Sequence, residues 1–138
     1  MTAVLADAGP LIALLDERDR HHSWARDFFD SVPPPIFTCE PVLTECCYRL
    51  RGVRWGEQTL LRLVASQLLT IEFALLPELQ AVRRLMDKFS GIPMSLADAC
   101  LVRMSEIRHD GVVVTIDSDF RVYRRNRRQI IPTIMPDR

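Results

Sequence analysis

The chain has 138 residues, 48% of them apolar and 26% charged, and its 18 basic and 18 acidic side chains cancel to a formal net charge of zero. That length suits one domain spanning residues 1–138, with core enough to need no metal or disulfide staple. Neutral charge argues against a protein that coats nucleic acid indiscriminately, and the longest apolar run, Leu11–Leu15, is far too short for a membrane span.

Val4-Leu5-Ala6 reads as a first short strand, broken by Asp7-Ala8-Gly9-Pro10, with Pro10 in the first turn of a helix carrying Leu11, Ile12, Leu14 and Leu15. Trp24, Ala25, Phe28, Phe29 and Val32 recur at helical spacing. Pro33-Pro34-Pro35 is a stiff loop, and Ile36-Phe37-Thr38 is a brief strand. Pro41 opens a helix whose stripe is Leu43, Cys46, Cys47 and Leu50, and Leu60, Leu61, Val64 and Leu68 mark another. Leu69–Phe73 is the weakest strand. Leu79, Val82, Leu85, Met86 and Phe89 mark a helix stopped by Gly91 and Pro93, and Ser95 starts one carrying Leu96, Cys100, Leu101, Met104 and Ile107. Val112–Thr115 is the clearest strand. A turn or short helix at Asp117–Tyr123 follows, and a last strand runs from Ile130-Ile131 to Ile134. Strands that are continuous apolar runs, alternating with helices, predict an α/β fold with a mainly parallel sheet covered on both faces.

Four cysteines, Cys39, Cys46, Cys47 and Cys100, lack metal-ligand spacing, and Cys39, Cys46 and Cys100, beside or within apolar runs, read as buried free thiols of a reducing compartment. Met1-Thr2-Ala3-Val4 has neither the basic start nor the long apolar stretch of a secretory signal, so the cytoplasm is the expected location.

Acidic residues fall where open parallel sheets bind ligands, at the carboxyl ends of strands. Asp7 follows the first strand, Asp117 and Asp119 follow Val112–Thr115, and Asp98 lies in the first turn of the helix opened by Ser95. Glu45, early in the helix begun by Pro41, is a fifth candidate. Each has a structural explanation as well. Asp7 and Asp117 or Asp119 suit helix caps, Ser95-Leu96-Ala97-Asp98 matches a capping box, and Glu45 stands four residues before Arg49 as a surface ion pair would. Their coincidence on one edge favours a site. Crowded carboxylates raise one another's pKa unless a cation intervenes, and a bound divalent ion both activates water and offsets charge on a phosphate.

Asp7-Ala8-Gly9-Pro10-Leu11-Ile12-Ala13-Leu14-Leu15, Thr44-Glu45, Ser95-Leu96-Ala97-Asp98-Ala99 and Thr115-Ile116-Asp117-Ser118-Asp119-Phe120 together resemble, in order and spacing, the successive motifs of PIN-domain ribonucleases, in particular the VapC-type toxins of bacterial toxin–antitoxin pairs. The resemblance covers essentially the whole chain. It implies a three-layer α/β/α sandwich, an RNA substrate, Mg²⁺ or Mn²⁺ as cofactor, a cognate antitoxin and a homodimer. It further implies hydrolysis that leaves a 5′-phosphate and a 3′-hydroxyl. The family's acidic quartet falls on Asp7, Glu45, Asp98 and Asp117, with Asp119 as an additional metal ligand and Asp7 and Asp98 as the most direct ones. Thr115 matches a position that orients metal-bound water. Arg121, Arg124 and Arg125, in a run of arginines from 121 to 128 that holds no acid, are expected to contact RNA phosphates.

Three rivals stand beside this reading. A phosphoacceptor or dehalogenase-like phosphatase needs a lysine late in the sheet, whereas the sole lysine, Lys88, lies on a mid-chain helix. A metal-free ribonuclease needs paired histidines, whereas His21 and His22 are adjacent and His109 precedes a glycine turn. The third is a catalytically silent PIN-like module that binds RNA or protein.

Overall fold

Two strands that are buried along most of their length, β1 (Ala3–Ala6) and β4 (Gly111–Val114), form the middle of the sheet in the computed structural model, which describes residues 2–137. They pair in parallel with Leu5 opposite Val113. Gly111 is required at this junction. A Cβ there would stand 2.9 Å from the Arg108 carbonyl oxygen and 3.0 Å from Cδ1 of Leu5.

From β1 the chain passes through α1 (Ala8–Leu15) and α2 (His22–Ser31) to β2 (Ile36–Thr38). It continues through α3 (Glu40–Arg49) and α4 (Gly56–Ala65) to β3 (Leu69–Ile71). Then α5 (Leu75–Lys88) and α6 (Leu96–Ile107) carry it back across to β4. A 3-10 turn (Ser118–Arg121), a small antiparallel hairpin of β5 (Arg124–Arg125) and β6 (Gln129–Ile130), and β7 (Thr133–Ile134) complete it. The main sheet has five strands in the order β3-β2-β1-β4-β7, all parallel. Parallel crossovers are right-handed, so reversing direction after β3 places α5 and α6 on the face opposite α1 to α4. The expected three-layer α/β/α sandwich with a parallel sheet is the architecture observed.

Helix phases explain the core. Val42, Cys46 and Leu50 recur every four residues along α3 and are fully buried, while Leu43 and Cys47 sit half-buried at the margin of that stripe. Cys39, Cys46 and Cys100 are buried free thiols, as expected, and Cys47 is half-buried. On α4 Leu60 is buried but Leu61 is exposed, and the helix stops before Leu68 because Gln67 takes a left-handed φ of 65°.

The end of the chain departs from expectation. Ile130 belongs to the hairpin, opposite Arg124, and is 70% exposed; Ile131 alone reaches the core, and the parallel strand begins only at Thr133. Pro132 has no N–H to extend a ladder, yet its carbonyl still accepts from the Val113 N–H at 2.9 Å. No helix among the described residues is long and apolar enough to cross a membrane.

Candidate active site

The sheet order reverses at β1, since the chain fills one side through β2 and β3 and then returns to place β4 on the other. A crevice opens at the carboxyl ends of strands flanking such a switch. Asp7 stands in it. Its backbone N–H still bonds the Val114 carbonyl at 3.0 Å, while its side chain caps α1, with Oδ1 accepting from the Ala8 N–H at 2.8 Å. Oδ2 accepts from the Thr115 hydroxyl at 2.6 Å. The same Thr115 oxygen accepts from the Asp117 N–H at 3.0 Å, and Oδ1 of Asp117 accepts from the Asp119 N–H at 2.9 Å, capping the 3-10 turn. One buried hydroxyl thereby ties together the acids that follow β1 and β4.

Asp98 arrives from α6. Ser95 caps that helix, accepting from the Asp98 N–H at 3.0 Å, and Oδ2 of Asp98 accepts in return from the Ser95 N–H at 3.2 Å. Oδ2 also accepts from the Tyr123 hydroxyl at 3.2 Å. Glu45 lies in the second turn of α3. That helix follows β2, whose Thr38 hydroxyl donates to the Ala6 carbonyl at 2.8 Å and fixes the two strand ends side by side.

Asp7, Glu45, Asp98 and Asp117 line one cleft of about 430 Å³, together with Arg20, His21 and Arg49. Three of the acids are raised, by burial and by the charge of their neighbours. Burial, reinforced by the charges of Asp98 and Glu45, pushes the Asp7 carboxyl up to about 6, against the pull of its bonds from Thr115 and Ala8. Asp98 is raised by burial and by Asp117, against its bonds from Ser95 and Tyr123. Glu45 is an exposed residue overall, yet its carboxyl turns into the cleft wall and is raised by partial burial and by Asp98 and Asp117, with Arg49 opposing. The cleft holds more negative charge than its own cations offset.

Such a donor set, all hard oxygen, suits Mg²⁺ or Mn²⁺. Among the described residues no three acidic, histidine or cysteine side chains are already gathered at ligating distance of one point. Mg²⁺ typically takes one or two carboxylates and keeps several waters, which matches what Asp7 and Asp98, each pinned by its own donors, have left to offer.

The other expected site residues fall elsewhere. Thr115 is fully buried, so it positions Asp7 and Asp117 and does not touch a substrate. Asp119 is not among the cleft-lining residues. Arg125 is a correction to the phosphate-contact expectation. Its guanidinium donates to the carbonyls of Ser105 at 3.0 Å, Gly111 at 3.4 Å and His109 at 3.3 Å, clamping the end of α6 to the start of β4 at the opposite edge of the sheet. Arg124 does not line the cleft, and its Nη1 lies within 3.0 Å of the carbonyls of Arg121, Val122 and Tyr123. Arg121 is exposed on the 3-10 turn but does not line the cleft. In their place stand Arg49, foreshadowed only by its spacing from Glu45, and Arg20, for which no motif gave a signal. Tyr123 was also missed, because a tyrosine beyond the last motif carries no mark of reaching back to Asp98.

His21 alone of the histidines lines the cleft, and Lys88 lies against the hairpin, donating to the Arg127 carbonyl. The cleft therefore offers neither a histidine pair nor a phosphate-neutralising lysine.

Comparison with known proteins agrees with this fold. The PIN domain family model matches residues 4–126. Among solved structures, that of Mycobacterium tuberculosis VapC20, described as a sarcin–ricin loop cleaving toxin, superposes with a TM-score of 0.73 at 18% identity. It covers 85% of this chain and 92% of its own. No curated protein sequence matches the chain.

Proposed function

The chain belongs to the PIN-domain family, and from that premise we propose that it is a metal-dependent endoribonuclease, the toxin of a type II toxin–antitoxin pair of the VapC kind. The observation that carries the reading is the meeting of Asp7, Glu45, Asp98 and Asp117, drawn from four separate stretches of sequence, in one cleft at the switch point of the sheet. The structural likeness to a toxin named for RNA cleavage adds support at the level of fold.

Asp7, Asp98 and Asp117 would hold Mg²⁺ or Mn²⁺, with Asp119 as an outer acid. The ion, when bound, activates water and offsets charge growing on the phosphate. Thr115 and Tyr123 set the carboxylates of Asp7 and Asp98 so that their free lone pairs face the cleft. Glu45, whose carboxyl feels Asp98 and Asp117, orients the attacking water and accepts its proton on the carboxylate. Arg49 and Arg20 meet the phosphate flanks. A bond forms from the water oxygen to phosphorus and the bond from phosphorus to the 3′ oxygen breaks. The 3′ oxygen leaves as a hydroxyl, taking a proton from the cleft, and the phosphate stays on the 5′ side. Soluble cytoplasmic protein, a homodimer and a cognate antitoxin complete the proposal.

Cleavage of single-stranded RNA by the purified chain, with Mg²⁺ or Mn²⁺ and then with chelator, tests it. Activity is expected only with metal, and Asp98→Asn is expected to remove it. Cleavage indifferent to both would overturn the reading.

A further inference from the structure

The last turn of α3 and the loop to α4 present two large aromatic rings to solvent. Tyr48 is 63% exposed and Trp55 58% exposed. Each has an arginine over its face, with the Arg51 guanidinium carbon 3.9 Å from the Tyr48 ring centre and that of Arg54 5.9 Å from the ring of Trp55. Among the described residues none of Arg49, Arg51 and Arg54 has an acidic side chain within ion-pair distance. Arg51, Arg54 and Trp55 line a shallow hollow of about 420 Å³, with Glu57 as its acid.

Trp55 is held in a costly backbone state. Its φ of 62° is left-handed, a region bulky side chains avoid. Next to it Gly56 packs so tightly that a Cβ there would meet those of Leu50 and Val53 at 3.1 Å. Strain retained at an exposed indole, where burial gives nothing back, points to use of the ring.

Position supplies the use. Arg49 lines the acidic cleft and ends α3, and Glu45 lies one turn before it, about 6 Å along the axis. Tyr48 sits three residues from Glu45, on a neighbouring part of the same helix surface. Cationic side chains interleaved with exposed aromatic rings, leading away from a cleft that takes a phosphodiester, form the arrangement by which proteins hold unpaired bases: rings stack on bases and arginines follow the backbone.

We infer that Tyr48, Arg51, Arg54 and Trp55 form a stacking platform for unpaired bases of single-stranded RNA on one side of the cleft, which rests on RNA being the substrate. The arginines now lying over the rings shift to phosphates as bases take their place. Duplex RNA, its bases already stacked on one another, is held more weakly.

The test uses the full chain with Trp24→Phe, which leaves Trp55 as the sole indole of the two in the sequence. It is titrated in chelator with an oligouridylate and, separately, with a duplex RNA of equal length. Quenching of Trp55 fluorescence by the single strand and weaker binding of the duplex are expected. By anisotropy of a labelled oligouridylate, Tyr48→Ala and Trp55→Ala should each weaken single-strand affinity by about 5- to 100-fold, and Trp55→Phe should restore most of it. Arg51→Ala with Arg54→Ala should flatten the salt dependence by roughly 0.7 per arginine in the log–log slope. Absence of quenching at RNA concentrations that the Mn²⁺-loaded chain cleaves overturns the platform and leaves the nuclease reading standing. Quenching without cleavage under any metal does the reverse. A dimer in sedimentation that Trp55→Ala converts to monomer would assign the surface to contact between copies and overturn the inference.

Discussion

The hydroxyl of Tyr123 reaches 3.2 Å to Oδ2 of Asp98, joining the segment after the 3-10 turn to the first turn of α6. Tyr123 is wholly buried, its ring set edge-on against Phe89 and Phe120, so the phenol has no freedom to turn elsewhere. Burial and the nearby charge of Asp98 push its acidity far out of the working range, and it acts only as a donor. Tyr123→Phe keeps the ring packing and removes that donor. It should cost about 1.5–3 kcal/mol of stability, the worth of a bond to a charged group. It should also raise the Mn²⁺ concentration that half-saturates cleavage while leaving the rate at saturating metal within a few-fold of wild type. A titration of activity against Mn²⁺ checks both parts.

Asp7 carries a stability cost that pH reveals. Its folded-state pKa of about 6 lies above the ordinary 3.8, so the folded state binds the proton more tightly than the unfolded chain does. Stability in chelator should therefore fall as pH rises from about 4 to 6, then level off. Asp7→Asn lacks this fall and should exceed wild type by up to about 3 kcal/mol at pH 8, a ceiling from the size of the shift, while losing cleavage. Chemical denaturation of both proteins in EDTA at pH 4, 6 and 8 measures the difference. Added Mn²⁺ should stabilise wild type and not the variant.

Arg125 and Arg49 should separate stability from RNA binding. Arg125→Ala strips donors from the carbonyls of Ser105, His109 and Gly111, and should destabilise by about 1–3 kcal/mol. The salt dependence of RNA binding should stay unchanged in the protein that remains folded. Arg49→Ala should leave the thermal midpoint nearly unmoved and weaken RNA binding in a salt-sensitive way. Thermal denaturation paired with binding at two salt concentrations distinguishes them.

Expression of the wild-type chain in a bacterial host should arrest growth, and the Asp98→Asn chain should not. Co-expression of the antitoxin should restore growth, by a basic segment entering the acidic cleft. Healthy growth with abundant soluble wild-type protein would remove the toxin reading.

Much of this arrangement was legible from the residues. Continuous apolar strands gave the parallel sheet, and Ser95 with Asp98 gave the start of α6. The two explanations weighed for the acids proved compatible: Asp7, Asp98 and Asp117 are helix-capping residues and cleft residues at once, because helices that leave the carboxyl edge of a parallel sheet begin there. Long-range side-chain reach was not legible. Nothing local distinguishes Arg125, spent on carbonyls at the far edge, from Arg49 in the cleft. Ile130 and Ile131 also look alike in sequence, and only the proline after them and the hairpin before them separate the exposed one from the buried one.

The acids are all in place by Asp119, but what disciplines them comes later. Tyr123 holds Asp98, Arg125 locks α6 to β4, and the Ile134 carbonyl receives the Thr115 N–H at 3.0 Å. Ribosomes build chains from the amino end, so a nascent polypeptide carries every carboxylate of the cleft before it has the parts that aim them. A fragment cut after Asp119 should therefore be inert despite containing every acid assigned to the cleft.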